Sequence, residues 1–374
     1  MRSVRPLALV LLCIAAVSAG CGKDSPGVTE PPPPPPPPPV VPEPVLTPNF
    51  VRLESDAGDW VGDGRAYNYT QANAVISVAA TGGTLRVGIN GDEYWGGDFE
   101  FLASTIQPGT YTGLQRSRDA TKGGLNWSGE GRGCNTILGS VTVDSVTYAA
   151  GALATLDLRF EQHCEGKAAA LRGTVHWRAD DKTVPPGPSN PPPAGLWQPA
   201  AGSVPAAGNY VHLQSDAGDY IGGGQTYTYT PKDVFITVAV GGARATVSVD
   251  GWSGEFQSML TLAQLQPGYY AELMRSGFHN PTRGGLSWSG KGRGCNRLKG
   301  WFVVDQATYS GGTLTGLDLR FEQHCEGAAA ALRGAIHWRA DDTTQPAGPV
   351  NPPPAGLWQP AAGSLPATGN YVHL

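Results

Sequence analysis

The sequence predicts an all-β protein built as two tandem antiparallel β-sandwich domains, with a jelly roll as the alternative closure, joined by Pro-rich linkers. Three observations predict it. Apolar and polar residues alternate at period two through almost every body segment, the pattern of half-buried antiparallel strands. Gly-rich turns such as Thr81-Gly82-Gly83 and Gln107-Pro108-Gly109 punctuate those segments, and no stretch carries a helical pattern. The chain also repeats itself at a spacing of about 161 residues, too long for a solenoid and right for tandem domains.

Composition divides the 374 residues into bodies and spacers. The 33 prolines concentrate in 21–48, 182–208 and 343–369, while the two bodies, 49–181 and 209–342, are nearly free of them. Each body is long enough to bury its own core. With 26 Lys and Arg against 31 Asp and Glu, the net charge is −5 and no basic stripe appears. Nucleic acid is therefore not an expected partner.

The first twenty residues carry Arg2 and Arg5, an apolar run from Leu7 to Val17 and a small-residue end. That is the three-part layout of an export signal, too short for a membrane span. Ser18-Ala19-Gly20-Cys21 closes it. This stretch resembles the lipobox of bacterial lipoproteins, although Ser18 stands where that family prefers Leu. The resemblance implies lipidation of Cys21, a membrane partner through the anchor, and residence in the bacterial cell envelope. Gly22 in place of Asp implies outer-membrane or cell-surface placement. Pro31–Pro39 follows, a run expected to form a polyproline II rod of roughly 28 Å that holds the first domain off the membrane.

The repeat is visible in Asn49-Phe50-Val51-Arg52-Leu53, which returns as Asn209-Tyr210-Val211-His212-Leu213, and in 156–166, which is identical to 317–327. The later halves of the copies are nearly the same and read as recent duplication; the earlier halves differ most at 84–100 against 243–257. Asn370-Tyr371-Val372-His373-Leu374 reads as the start of a truncated third repeat, or as a strand donated to a neighbouring domain. The body resembles a repeated module of secreted bacterial proteins with no characterised activity, through Ser-Asp-x-Gly-Asp-Tyr/Trp, Gly-Arg-Gly-Cys-Asn and Arg-Phe-Glu-Gln-His-Cys-Glu-Gly.

Within the first body, strands are expected at 49–55, 66–70, 74–80, 84–90, 98–103, 110–117, 124–130, 137–148, 156–165 and 170–179. Leu156, Leu158, Phe160, Gln162 and Cys164 share one face of their strand; Asp157, Arg159, Glu161, His163 and Glu165 share the other. Cys13 and Cys21 belong to the leader region. That leaves Cys134 with Cys164 and Cys295 with Cys325, one pair per repeat, read as one disulfide in each domain. Closing such a loop stabilises by about 3.5 kcal/mol in the chain-entropy account.

Four constellations carry candidate chemistry. A hairpin of 156–165 with 170–179 is expected to place Glu165 across from Arg172 and Glu161 across from His176. Glu161, His163 and His176, with their twins Glu322, His324 and His337, are then candidates for zinc or for acid–base catalysis. The extended mixed-charge face, including Asp157, Arg159 and Arg178, favours a solvated ladder of ion pairs instead. Asp56, Asp59 and Asp63 could offer oxygens to Ca²⁺, but their Gly-containing turn also suits Asx-type hydrogen bonds, and Gly223 replaces the third Asp in the second copy. Gly129–Cys134 lacks the helix a phosphate loop needs, and reads as a bend that places the disulfide. Among the ten Trp, Trp127, Trp177, Trp288 and Trp338 follow core parity. Trp95 with Tyr94, and Trp252, lie among Gly and acids and read as ligand-contacting aromatics, against the alternative of caps on the core.

The functional expectation is a lipid-anchored, non-catalytic binding or adhesion module, with polysaccharide or a surface protein as partner and no cofactor. A structural surface spacer and a metal-dependent envelope hydrolase are the alternatives.

Overall fold

A computed structural model describes residues 48–374. The expected signal at 1–20, the lipid site at Cys21 and all of the 21–48 stalk except Pro48 lie outside the described residues. The described part is all-β, and no helix occurs in it.

Repeat 1 holds ten strands: β1 (Phe50–Ser55), β2 (Ala66–Thr70), β3 (Val75–Thr81), β4 (Thr84–Asn90), β5 (Tyr94–Glu100), β6 (Gly109–Leu114), β7 (Gly124–Gly129), β8 (Ile137–Ala149), β9 (Ala152–Cys164) and β10 (Ala170–Arg178). Repeat 2 matches them in order: β11 (Tyr210–Ser215), β12 (Thr226–Tyr229), β13 (Ile236–Gly241), β14 (Arg244–Val249), β15 (Trp252–Gln257), β16 (Gly268–Arg275), β17 (Gly285–Gly290), β18 (Leu298–Ser310), β19 (Thr313–Cys325) and β20 (Ala331–Arg339).

In repeat 1 a six-stranded sheet, β2-β1-β10-β9-β8-β6, faces a four-stranded sheet, β3-β4-β5-β7. Most neighbours are consecutive in sequence, so the connectivity is a meander closed by β1 beside β10. Repeat 2 keeps this order as one ten-stranded ribbon. There β16 and β17 pair in parallel through Met274↔Gly285 and Arg275↔Leu286, whereas repeat 1 has a single bridge, Gln115↔Gly124, at that place. Each repeat encloses its own core. Trp127 stacks on Phe160 at 4.9 Å between ring centroids, and Trp288 stacks on Phe321 at 5.1 Å.

The largest departure from the sequence reading is β5, which begins four residues before the expected 98. Gly96-Gly97 suggested a loop. Instead Gly97 lies mid-strand, because a Cβ there would stand 2.2 Å from the Trp127 ring. Glycine in that strand is a packing requirement rather than a turn. Gly254 meets Trp288 in the same way at 2.3 Å.

Both disulfides, Cys134–Cys164 and Cys295–Cys325, are formed. Beside each lies a fully buried glutamine. Gln162 accepts from the Trp127 amide at 2.8 Å and donates to the Trp127 carbonyl at 2.9 Å; Gln323 does the same with Trp288. A buried polar group that closes both ends of its amide on backbone stitches β9 to β7 across the core.

The linker 182–208 is not a free spacer. Ser189 exchanges two backbone hydrogen bonds with Tyr269 on the open edge of β16, at 3.0 and 2.9 Å. The chain then crosses the outer face of the large sheet, where the Trp197 ring stacks parallel to His212 and the Trp197 carbonyl accepts from Arg320 Nη1 at 2.7 Å. The repeats also touch directly. Asn280 Nδ2 donates to the Asn73 carbonyl at 2.9 Å and to Asp92 Oδ1 at 3.0 Å, and Arg283 pairs with Asp92 at 3.1 Å. Asp92 lies in a three-residue stretch, Asp92-Glu93-Tyr94, that repeat 2 lacks, so the divergent halves of the repeats carry their junction. The expected third-repeat start, 370–374, forms no strand.

Candidate functional site

The sheet-face constellation is a ladder of ion pairs, and its register corrects the expected hairpin. Arg172 lies opposite Glu161, His176 opposite Asp157, and His163 opposite Ala170. Glu161 takes His163 Nε2 at 2.9 Å on one oxygen and Arg172 Nε at 2.7 Å on the other. Arg172 also reaches Asp56 at 2.7 Å. His176 pairs instead with Asp157 at 2.6 Å, and Arg178 takes the other oxygen of Asp157 at 2.8 Å. The carboxyl of Glu161 is held below its usual range by the hydrogen bond from His163 and by the guanidinium of Arg172.

Repeat 2 reproduces this network. Glu322 joins His324 at 3.2 Å and Arg333 at 2.6 Å, while His337 and Arg339 share Asp318. The four-residue difference in register separates the expected Glu–His group into two clusters, each saturated by arginine. Among the described residues, no three His, Cys, Asp or Glu side chains converge to hold a metal.

Glu165 leaves the ladder altogether. It sits at φ 54° in the turn after β9 and accepts from the Asn135 amide at 2.6 Å and from Thr136 Oγ1 at 3.0 Å. Those hydrogen bonds keep its carboxyl ionised below the ordinary range. Glu326 does the same for Asn296 and Arg297.

The three aspartates of the first turn diverge as well. Asp59, nearly fully buried, accepts from Ser55 Oγ and the Gly62 amide, both at 2.7 Å. Asp56 turns to Arg172, whose hydrogen bond lowers its pKa, and Asp63 turns to Arg65 at 2.6 Å. The oxygens therefore serve an Asx-type lock on the turn rather than a common centre for Ca²⁺.

Trp95 and Trp252 correct the aromatic assignment. Both are buried, at 0% and 1% exposure, and both donate to a core tyrosine: Trp95 to Tyr69 at 2.7 Å and Trp252 to Tyr229 at 2.9 Å. Arg132 and Arg293 lie over their outer ring faces. They share inward parity with Phe99 and Phe256, so the acidic and Gly neighbours were misleading. Burial and Glu93 push the Tyr69 hydroxyl well above its ordinary pKa, which keeps it neutral as a core hydrogen-bond relay. Tyr94 points outward and is exposed.

The exposed aromatics shared by both repeats are Trp60 and Tyr220, at 58% and 59%. Each follows its locking aspartate directly. Backbone on both sides of the ring is pinned: Asp59 holds Val61 and Gly62, Tyr67 donates to the Gly62 carbonyl at 3.0 Å, and Arg132 Nε donates to the Val61 carbonyl at 2.8 Å. In repeat 2 the ring of Tyr220 borders an open cleft of about 360 Å³ at the sandwich end, with exposed Asn296, Glu326 and the Cys325 end of the disulfide along it. Trp60, Asn135 and Glu165 hold the equivalent positions in repeat 1. The sequence held one signal for this pair: both copies keep an aromatic directly after the second Asp of an Asp-Ala-Gly-Asp turn. Strand parity cannot detect it, because a turn has no alternating faces.

No protein-family model, curated protein or solved structure matches this chain.

Proposed function

We propose that the chain is a lipid-anchored envelope protein whose two repeats are non-catalytic binding modules for polysaccharide. One observation carries this reading: the same rigidly held, exposed aromatic recurs in both repeats beside hydrogen-bonding side chains. A flat apolar ring gives a platform for the apolar face of a sugar, and the neighbouring Asn and Glu supply a donor and acceptors for its hydroxyls. Little ordering entropy opposes binding, because the Asp59 and Asp219 locks already fix the turns. Weak single sites become useful when two are linked, since the second engages at high effective concentration on a polymer.

Sedimentation with insoluble cell-wall and storage polysaccharides tests the proposal. Binding should be lost in Trp60→Ala with Tyr220→Ala, and each single substitution should weaken it on the order of tenfold or more through lost avidity. Failure to bind any polymer, or binding that survives the double substitution, would overturn it.

A further inference from the structure

Linker 343–369 contains Asn351–Ser364, identical in sequence to Asn190–Ser203 of the linker strapped across repeat 2. The two stretches differ in surroundings. Leu196 and Trp197 are partly buried against the sheet, whereas Leu357 and Trp358 are 59% and 76% exposed. Repeat 1 shows the converse. Its outer sheet face, equivalent to the one covered in repeat 2, carries no strap among the described residues and holds a groove of about 350 Å³ lined by Arg52, Arg159 and Thr174. The side chain of Arg159 is 60% exposed there, against 14% for Arg320 under its strap.

We propose that the bare face of repeat 1 is the docking surface for the second linker of another copy of this chain. The contacts that seat the first linker have counterparts on this face. Arg159 is clamped by Asp144 at 2.9 and 2.8 Å, as Arg320 is clamped by Asp305, so its remaining nitrogen is presented as the one that reaches the Trp197 carbonyl. Thr110 on β6 occupies the position of Tyr269, whose backbone pairs with Ser189; such pairing depends on the edge and not on the side chain. Gly109 has open space where Gly268 meets Pro188. Arg52 replaces His212 as the group beneath the indole, and a planar guanidinium stacks on Trp as an imidazole does. The linker is rich in proline, which offers carbonyl acceptors and no amide donors. Arg52, Ser140, Thr142, Arg159 and Thr174 give the face the donors such a segment needs.

The contact joins two different surfaces, so copies either exchange linkers reciprocally in a closed dimer or add head to tail into rings and longer series.

Sedimentation velocity on the full chain from about 1 to 300 μM tests this, the range in which weak, transient interfaces assemble. Concentration-dependent growth is expected. Leu357→Ala with Trp358→Ala should weaken it on the order of tenfold or more, since a central Trp dominates such contacts. Arg159→Ala should weaken it from the receiving side. All three residues are exposed, so the fold is not at risk. In a mixture of Thr110→Cys and Val350→Cys chains, oxidation should give a disulfide between the two variants. A monomer at every concentration, or association that survives the Trp358 substitution, overturns the proposal. Hydrogen-exchange protection of the Arg159 face in a monomer assigns that face to a different occupant and overturns it as well.

Discussion

Repeats 1 and 2 share strand order, disulfide, glutamine stitch and turn lock, yet among the described residues the same sheet face is bare in one and covered in the other. Beneath the strap of repeat 2 stand Tyr269, Trp301, Val303, Ala335 and His212. The matching positions in repeat 1 are Thr110, Ser140, Thr142, Thr174 and Arg52. The scaffold beneath is unchanged: Arg52 faces Thr174 as His212 faces Ala335. The covered face of repeat 2 therefore carries side chains that shed water, and the matching face of repeat 1 carries side chains that offer hydrogen bonds. Linker 182–208 therefore belongs structurally to repeat 2, the repeat that follows it.

The largest effect that can test this equivalence lies in the cores. Trp95→Ala and Trp252→Ala should each cost about 3–5 kcal/mol, the usual cost of deleting a fully buried large aromatic. Thermal or urea unfolding should show the loss in both repeats alike. A near-neutral outcome in one of them would mean that its tryptophan is not part of the core, and the likeness of the two sandwiches would fail.

Those two tryptophans also mark where sequence reading stops. Strand parity located nine of the ten strands of repeat 1 within a few residues, because period-two alternation is imposed directly by one buried face. It misplaced β5, because Gly96-Gly97 has no side chains to alternate and the reason for Gly97 is a ring from β7, distant in sequence. The disulfides were legible from paired cysteines in an expected export context. Hairpin register was not. The β9–β10 turn contains Glu165 and Gly166 in left-handed conformation, and a shift there moves every cross-strand partner. That is why Glu161 was set opposite His176 when it meets Arg172. The strap was illegible for a different reason: it is held by backbone pairing at Ser189, a carbonyl-to-guanidinium bond and a ring stack at Trp197, and such contacts leave no periodic trace.

A reciprocal exchange sharpens the contrast between the faces. His212→Arg places a charged, longer side chain where the imidazole is 2% exposed, so the strap must lift or a cation must be buried. The expected cost is about 2 kcal/mol or more. In the monomer Arg52→His changes an exposed position that meets no linker among the described residues and should stay within about 0.5 kcal/mol. Hydrogen exchange at the Ser189 and Tyr269 amides would report the strap directly, with fast exchange in the His212 variant. Unaltered protection there would mean that Ser189 and Arg320 hold the linker without help from the ring.

The smallest expected effect comes from acid, at the strapped face of repeat 2. Burial lowers the pKa of His212, so the folded protein resists protonating it. In the unfolded chain the same imidazole takes a proton near its ordinary value of about 6.5. Above that pH both states are neutral and nothing is lost. As pH falls below it, the unfolded state binds more protons than the folded state, so stability declines, by at most about 1.4 kcal/mol per pH unit for one group. The partly buried ring of His279 contributes with the same sign. The lowered carboxylates Asp56 and Asp216 keep their charge through this window and lose it only in stronger acid. Strap contacts should therefore loosen as pH falls from about 6.5 to 5. His212→Gln keeps a flat polar group beside Thr228, which His212 contacts at 2.8 Å, and removes the titration. Melting of that variant across pH 7 to 5 should lose most of the decline seen in the parent chain, leaving the His279 share. An unchanged decline would place the acid sensitivity of repeat 2 at its junction loop, and the strapped face would then differ from the bare one in cover but not in its response to protons.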